Sequence, residues 1–226
     1  MAQTLLDRIK ATNKEVALLR AELESIDKYY GVPYQEMYEY YHIMKPKQAE
    51  KFIEGWVATL IGGAKMDTDQ VPEDYKQNDN GDIWVGDSLT IGKNNIELKS
   101  SFKGDSGIGG GQFRFYENVP YYMLFKAWDN KKFEMFLLTK QQLVNEIVER
   151  AESTKKSAYT SSQGSGVISK LTEEQKIQRL HDNVAGKYAD KLGWGFNPKT
   201  EPDLYKKFQE NYLVDPAKVN GIVNGI

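Results

Sequence analysis

Two aromatic-rich apolar runs on either side of a short polar turn constrain this chain most. Tyr121–Trp128 and Lys132–Leu138 flank the turn at Asp129–Asn130. Each run is long and aromatic enough for a buried strand, and the turn residues between them predict that the two strands follow one another directly. Two shorter strand-like runs precede them, Asp82–Val85 and Asn95–Ser101, around a turn at Gly92–Asn94. Upstream, Ala49, Phe52, Ile53, Trp56, Val57, Leu60 and Ile61 recur at helical spacing behind Pro46, a favoured first-turn residue, and Gly62–Gly63 end the stripe. Thr139 and Gln142 spell a capping box for a helix to about Glu152. The order helix, four strands, helix predicts an α/β (α+β) core with a mixed central sheet flanked by helices.

Outside that core the signals are weaker. Leu5, Ile9, Thr12, Val16, Leu19, Leu23 and Ile26 alternate steps of four and three, a short heptad seam. Such a helix either dimerises as a coiled coil or packs on its own domain. A tyrosine-rich stretch follows, from Tyr29 to Tyr41 around Gly31 and Pro33, and reads as a packed connector or as a base-stacking surface. Residues 66–81 read as a polar loop, 103–111 as a glycine-rich loop and 153–166 as a small polar loop. Leu171–Leu180 and Asp203–Leu213 are predicted helices, and the tail from Lys218 is expected to fray. The expected divisions are a helical segment over 1–45, a core over 46–152 and a C-terminal loop-and-helix region over 153–226.

Composition excludes several chemistries. The chain has no cysteine, so disulfides, thiolate zinc sites and cysteine nucleophiles are absent, which fits a reducing cytoplasm. Two histidines, His42 and His181, cannot build a histidine-rich metal site. No apolar run approaches the ~18–20 residues of a membrane span, and MAQTLLDRIK lacks the apolar core of a signal peptide. The expectation is a soluble, cytoplasmic protein. A net charge of -2 counts against a passive nucleic-acid coat and less against a nuclease, whose carboxylates recruit metal.

An acidic–x–lysine triplet occurs at Asp74–Lys76, Glu97–Lys99, Asp129–Lys131 and Glu174–Lys176. Only Glu97–Lys99 lies in a strand-like run. There the alternation of strand side chains puts Ile96 and Leu98 on one face and Glu97 and Lys99 on the other. In a hairpin, Asp82 would come near Glu97. Two adjacent carboxylates repel unless a cation lies between them, and Mg²⁺ suits carboxylate oxygens and water. The Leu98 carbonyl would be a further ligand, with Lys99 beside the water and the phosphate.

Gly81-Asp82-Ile83 followed by Ile96-Glu97-Leu98-Lys99-Ser100-Ser101 resembles the PD-(D/E)xK nuclease superfamily, with Gly81 where the family name has proline. The resemblance covers about residues 46–152 and implies a restriction-endonuclease-like core. It also implies Asp82 and Glu97 as metal ligands, Lys99 as the catalytic lysine and an acidic residue from the upstream helix. Glu54 is the favoured residue for that last role, and Glu50, one turn earlier, is the alternative. Ser101, Gln112 and Arg114 would face the DNA backbone. Lys155 and Lys156 would lie in a loop that either reads DNA bases or is plain surface. With no ATPase motif, the chain resembles a type II restriction endonuclease, a Mg²⁺-dependent enzyme cutting double-stranded DNA, commonly as a homodimer. A repair, junction-resolving or mobile-element nuclease of the same superfamily is the second reading. A non-enzymatic coiled-coil module is the third.

Overall fold

The computed structural model describes residues 26–65, 89–91, 94–102, 107–115, 119–155, 158–159, 168–185, 187–188 and 190–225. Most of the heptad helix, the Asp82–Val85 run and Lys156 lie outside them. Ile26 is described and is buried. Among the described residues no helix is long and apolar enough to cross a membrane.

The chain has a mixed α and β architecture built on a five-stranded sheet. A 3-10 turn, Ile26–Tyr29, leads into α1 (Tyr34–Ile43) and α2 (Pro46–Leu60). The short strands β1 (Ala64–Lys65) and β2 (Leu89–Ile91) come next, then β3 (Asn94–Ser101). β4 (Ile108–Phe113), β5 (Tyr121–Ala127) and β6 (Phe133–Thr139) follow. Beyond them lie α3 (Lys140–Thr154), α4 (Glu173–Val184), β7 (Leu192–Phe196), α5 (Pro202–Tyr212) and α6 (Pro216–Asn224). The sheet order is β1-β2-β3-β5-β6, with β3 and β5 parallel and the other pairs antiparallel.

β5 and β6 form the expected pair of buried strands, joined across Asp129. β5 is buried on both faces because a core lies on each side of the sheet. On one side Ile96, Leu98, Met123 and Phe125 pack against Phe52, Trp56 and Val57 of α2 and Met37 and Tyr40 of α1. On the other, Tyr122, Leu124, Phe136 and Leu138 pack against Leu143 and Ile147 of α3, Trp194 of β7 and Phe208 of α5. The described parts of all three expected divisions therefore share these cores. The tyrosine-rich stretch is packed: Tyr30 lies so close over Gly55 that any Cβ there would overlap its ring.

The local signals place the helix boundaries. Pro46 opens α2 and Gly62, at φ 69°, follows its end. Thr139 accepts from the Gln142 amide at 3.3 Å while the Gln142 side chain accepts from the Thr139 amide at 2.8 Å. Thr172 and Gln175 make a second capping box on α4.

Two expectations are corrected. Of the glycine-rich stretch, residues 108–111 belong to β4, which pairs antiparallel with β7, a strand the sequence reading did not place. The described partner of β3 in the hairpin is Leu89–Ile91, with Leu89 opposite Ile96 and Ile91 opposite Asn94, while the Asp82–Val85 run lies outside the described residues. The tail does not fray: α6 carries an Asp215 cap and buries Val219 and Val223 in the first core. Its Val223 carbonyl accepts from the Asn94 side chain at 3.1 Å.

Candidate active site beside β3

Among the described residues β2 pairs with β3 as far as Ile96. From Glu97 onward, β3 has no strand beside it on that edge among the described residues. On its other edge β5 continues in register, Glu97 with Tyr122 and Lys99 with Leu124. Paired residues share a face, so Glu97 and Lys99 stand together on the face of Tyr122 and Leu124, as the alternation predicted.

Glu97 is 1 % exposed, and the Lys99 ammonium donates to one of its carboxylate oxygens. Burying a carboxylate is costly unless a cation or donors compensate. Lys99 is only partly sheltered, its side chain 18 % exposed, so its ammonium can face both Glu97 and the adjoining cleft.

That cleft, of ≈ 360 Å³, is lined by Glu50, Ile53, Glu54, Leu98, Lys99 and Ser100, with Gly111 closing one side. The helix residues reach it because Glu50 and Glu54 lie one turn apart on one edge of α2. Both candidate helix carboxylates thus face it: Glu50 exposed, Glu54 half-buried and ion-paired with Lys65 at 2.8 Å. β4 lies over Lys99. A Cβ built on Gly110 would sit 3.1 Å from both Cβ and Cγ of Lys99, so the absence of a side chain there leaves room for the lysine stem.

A second, more open cavity of ≈ 590 Å³ adjoins the first at Ser100 and is walled by Ser101, Gly109, Gly110, Arg150 and Asn197. Arg150 is held there by two bonds to the Glu201 carboxylate, at 2.8 and 3.1 Å. The irregularity in the β4–β7 ladder between Gly110 and Phe113 falls at the junction of these spaces, a position where bulges commonly re-aim a strand beside a site.

The remaining expected residues disperse. Ser101 accepts from the buried Lys126 ammonium at 3.4 Å. Gln112 lies on β4. Arg114 is half-buried, and its carbonyl accepts from the Tyr122 hydroxyl. Lys155 is exposed and caps α3 in the left-handed conformation, φ 52°. Asp82 lies outside the described residues, so its approach to Glu97 is an expectation only.

Glu50, Glu54 and Glu97 offer only carboxylate oxygens, a hard donor set suited to Mg²⁺ rather than to zinc. Among the described residues no three acidic, histidine or cysteine side chains cluster closely enough to hold an ion unaided. The donor set fits Mg²⁺ in kind, and Glu97 is its most deeply buried carboxylate.

Sequence reasoning missed Lys65, Gly110 and β7. β7 did carry a signal: Leu192, Trp194 and Phe196 alternate with Gly193 and Gly195, the pattern of a one-sided strand. Lys65 and Gly110 carried none, because their importance lies in what other elements bring against them. The chain matches no family model, no curated protein and no solved structure.

Proposed function

We propose that this protein is a Mg²⁺-dependent deoxyribonuclease with a restriction-endonuclease-like core, acting on double-stranded DNA as a type II site-specific enzyme. The observation that carries this reading is the Glu97–Lys99 pair on one face of β3, beside a cleft that α2 furnishes with carboxylates. A packed strand face rarely spends two charges without a use for them.

In this reading Glu97 and Asp82 hold the ion and the Leu98 carbonyl assists. Bound Mg²⁺ supplies positive charge against the phosphate oxygens. Lys99 stands against the scissile phosphate and offsets the charge that builds on it. Glu54, or Glu50 one turn earlier, orients the attacking water from α2. The cavity along β4 and β7 gives the nucleic-acid strand a path away from the cleft. A homodimer joined through the heptad helix would supply a second site for the opposite strand.

Digestion of plasmid and phage DNA by the purified protein, with Mg²⁺ and with EDTA, tests the reading. Discrete metal-dependent fragments are expected. A smear would keep the nuclease and remove site specificity. No cleavage of plain, methylated or branched DNA would sink the nuclease.

Gly110 gives a sharper geometric prediction. Gly110→Val should push Lys99 aside and lower cleavage about 10²-fold, the usual cost of an ångström-scale misplacement. Circular dichroism and thermal unfolding should stay near wild type. Undiminished cleavage would show that β4 does not set the lysine.

A further inference from the structure

A third cavity, of ≈ 380 Å³, lies between α3 and the β4–β7 pair. Ile147, Arg150, Ala151 and Thr154 furnish it from α3, and their spacing puts all four on one face of that helix. β4 and β7 contribute Trp194 and the backbone of Gly110, Gly111, Gly193 and Gly195. Without side chains on these glycines, the strands present bare backbone to the cavity, which lets a ligand approach closely. Ile147, Ala151 and Trp194 belong to the second core, so the inner wall is apolar. Trp194 is fixed there, its indole donating to the Glu146 carbonyl at 3.2 Å.

Arg150 is the one charged residue among the described residues that line this cavity. Its two bonds to Glu201 use one N–H of each terminal nitrogen, which leaves the Nε–H and the second terminal N–H groups outside the pair. The bond from Arg150 holds the Glu201 carboxyl below its ordinary range, so the two charges cancel at neutral pH. A phosphate therefore gains little net attraction here, whereas a neutral ring with acceptor atoms can take the remaining N–H groups, as bases do from arginine. The volume falls in the range of small-molecule sites, about 300–1,000 Å³, which combine apolar walls with a few placed polar groups. Gly111 lines both this cavity and the cleft beside Lys99, so a nucleic-acid strand at Lys99 lies next to it.

We propose that this cavity takes a single unstacked nucleobase of the DNA strand, with Arg150 donating to acceptor atoms on the base edge. This rests on the nuclease reading above and adds a base-binding subsite to it. A base from a duplex must first leave its stack, at a cost of a few kcal/mol that is least at a mismatch or in a single strand.

The test measures fluorescence anisotropy with the full-length protein in EDTA, comparing a labelled single strand with an abasic strand of the same length and charge. Wild type should bind the base-bearing strand about tenfold more tightly, within what one stacked base contributes. Ala151→Phe, which fills the cavity, should bring the two affinities together by weakening the base-bearing strand alone. Thr154→Trp fills it from an exposed position and gives the same reading should the phenylalanine variant fail to fold. Arg150→Lys keeps the charge but loses the donor edge, and should lower the preference to about threefold. Equal affinities in wild type, or a preference that the filled variants retain, overturns the subsite. A loss shared equally by both strands in the filled variants would make it a phosphate site and overturns it too. Cleavage of duplex DNA in Mg²⁺, followed alongside, separates the two readings. Cleavage without a base preference overturns the subsite alone, a base preference without cleavage overturns the nuclease alone, and neither binding nor cleavage overturns both.

Discussion

Lys99→Ala should lower Mg²⁺-dependent DNA cleavage by about 10³-fold, the loss that follows removal of one preorganised group that offsets transition-state charge. Its ammonium is held in place before substrate arrives, by Glu97 on the same strand face and by Gly110 over its stem. No reorganisation is then needed as charge develops. Fluorescence anisotropy should show DNA binding weakened far less than cleavage, since one phosphate contact is a small share of a nuclease interface. Lys99→Arg should recover little. A planar guanidinium fits poorly in a slot shaped by a glycine backbone, although its charge is the same. Cleavage by Lys99→Ala within a few-fold of wild type would remove Lys99 from the mechanism, whatever the rest of the site does.

The second large effect concerns stability. Glu134→Ala should destabilise the fold by about 3 kcal/mol, because several partly buried donors lose one shared, buried acceptor. Glu134 is 8 % exposed on β6. Its carboxylate accepts from the Trp128 indole at 2.9 Å, the Tyr205 hydroxyl at 2.7 Å and the Gln209 amide at 3.0 Å, and it pairs with Lys132 at 3.2 Å. Burial first, and the bond to Glu134 second, push the Tyr205 hydroxyl well above its ordinary value, so it stays a donor. Lys126, the register partner of Glu134, is buried with its ammonium 4.9 Å from the Trp128 ring. The network joins α5 to the end of the β5–β6 pair, away from the cleft residues. Thermal unfolding should shift down by about 10 °C, given roughly 2–4 °C per kcal/mol for a chain of this size. Glu134→Gln should lose less, since an amide oxygen still accepts. A melting temperature unchanged by the alanine would show that water replaces the carboxylate at no cost.

Much of the local structure was legible from the residues. Helical spacing and Pro46 located α2, the polar turn at Asp129 located β5 and β6, and paired Thr and Gln located the start of α3. Each is a short-range rule: a period of 3.6 or 2, or a cap that satisfies amides within one turn. The same period put Glu97 and Lys99 on one face. It could not say that the pair would border a cleft furnished by α2, because that depends on how the helix packs on the sheet.

What tertiary structure alone decided is which distant groups meet. Both Glu50 and Glu54 reach the cleft, and only packing of α2 on the sheet could reveal it. The β4–β7 pairing turned an expected glycine-rich loop into a strand, since backbone hydrogen bonds from a partner some eighty residues away outweigh the weak strand propensity of glycine. The expected loose tail became α6, because the cap at Asp215 and the burial of Val219 and Val223 together exceed the cost of ordering it. Gly110 over Lys99 and Lys65 on Glu54 belong to the same class. Local periodicity is written along the chain, whereas long-range contacts are chosen by the packing of whole elements, and the candidate site is made of such contacts.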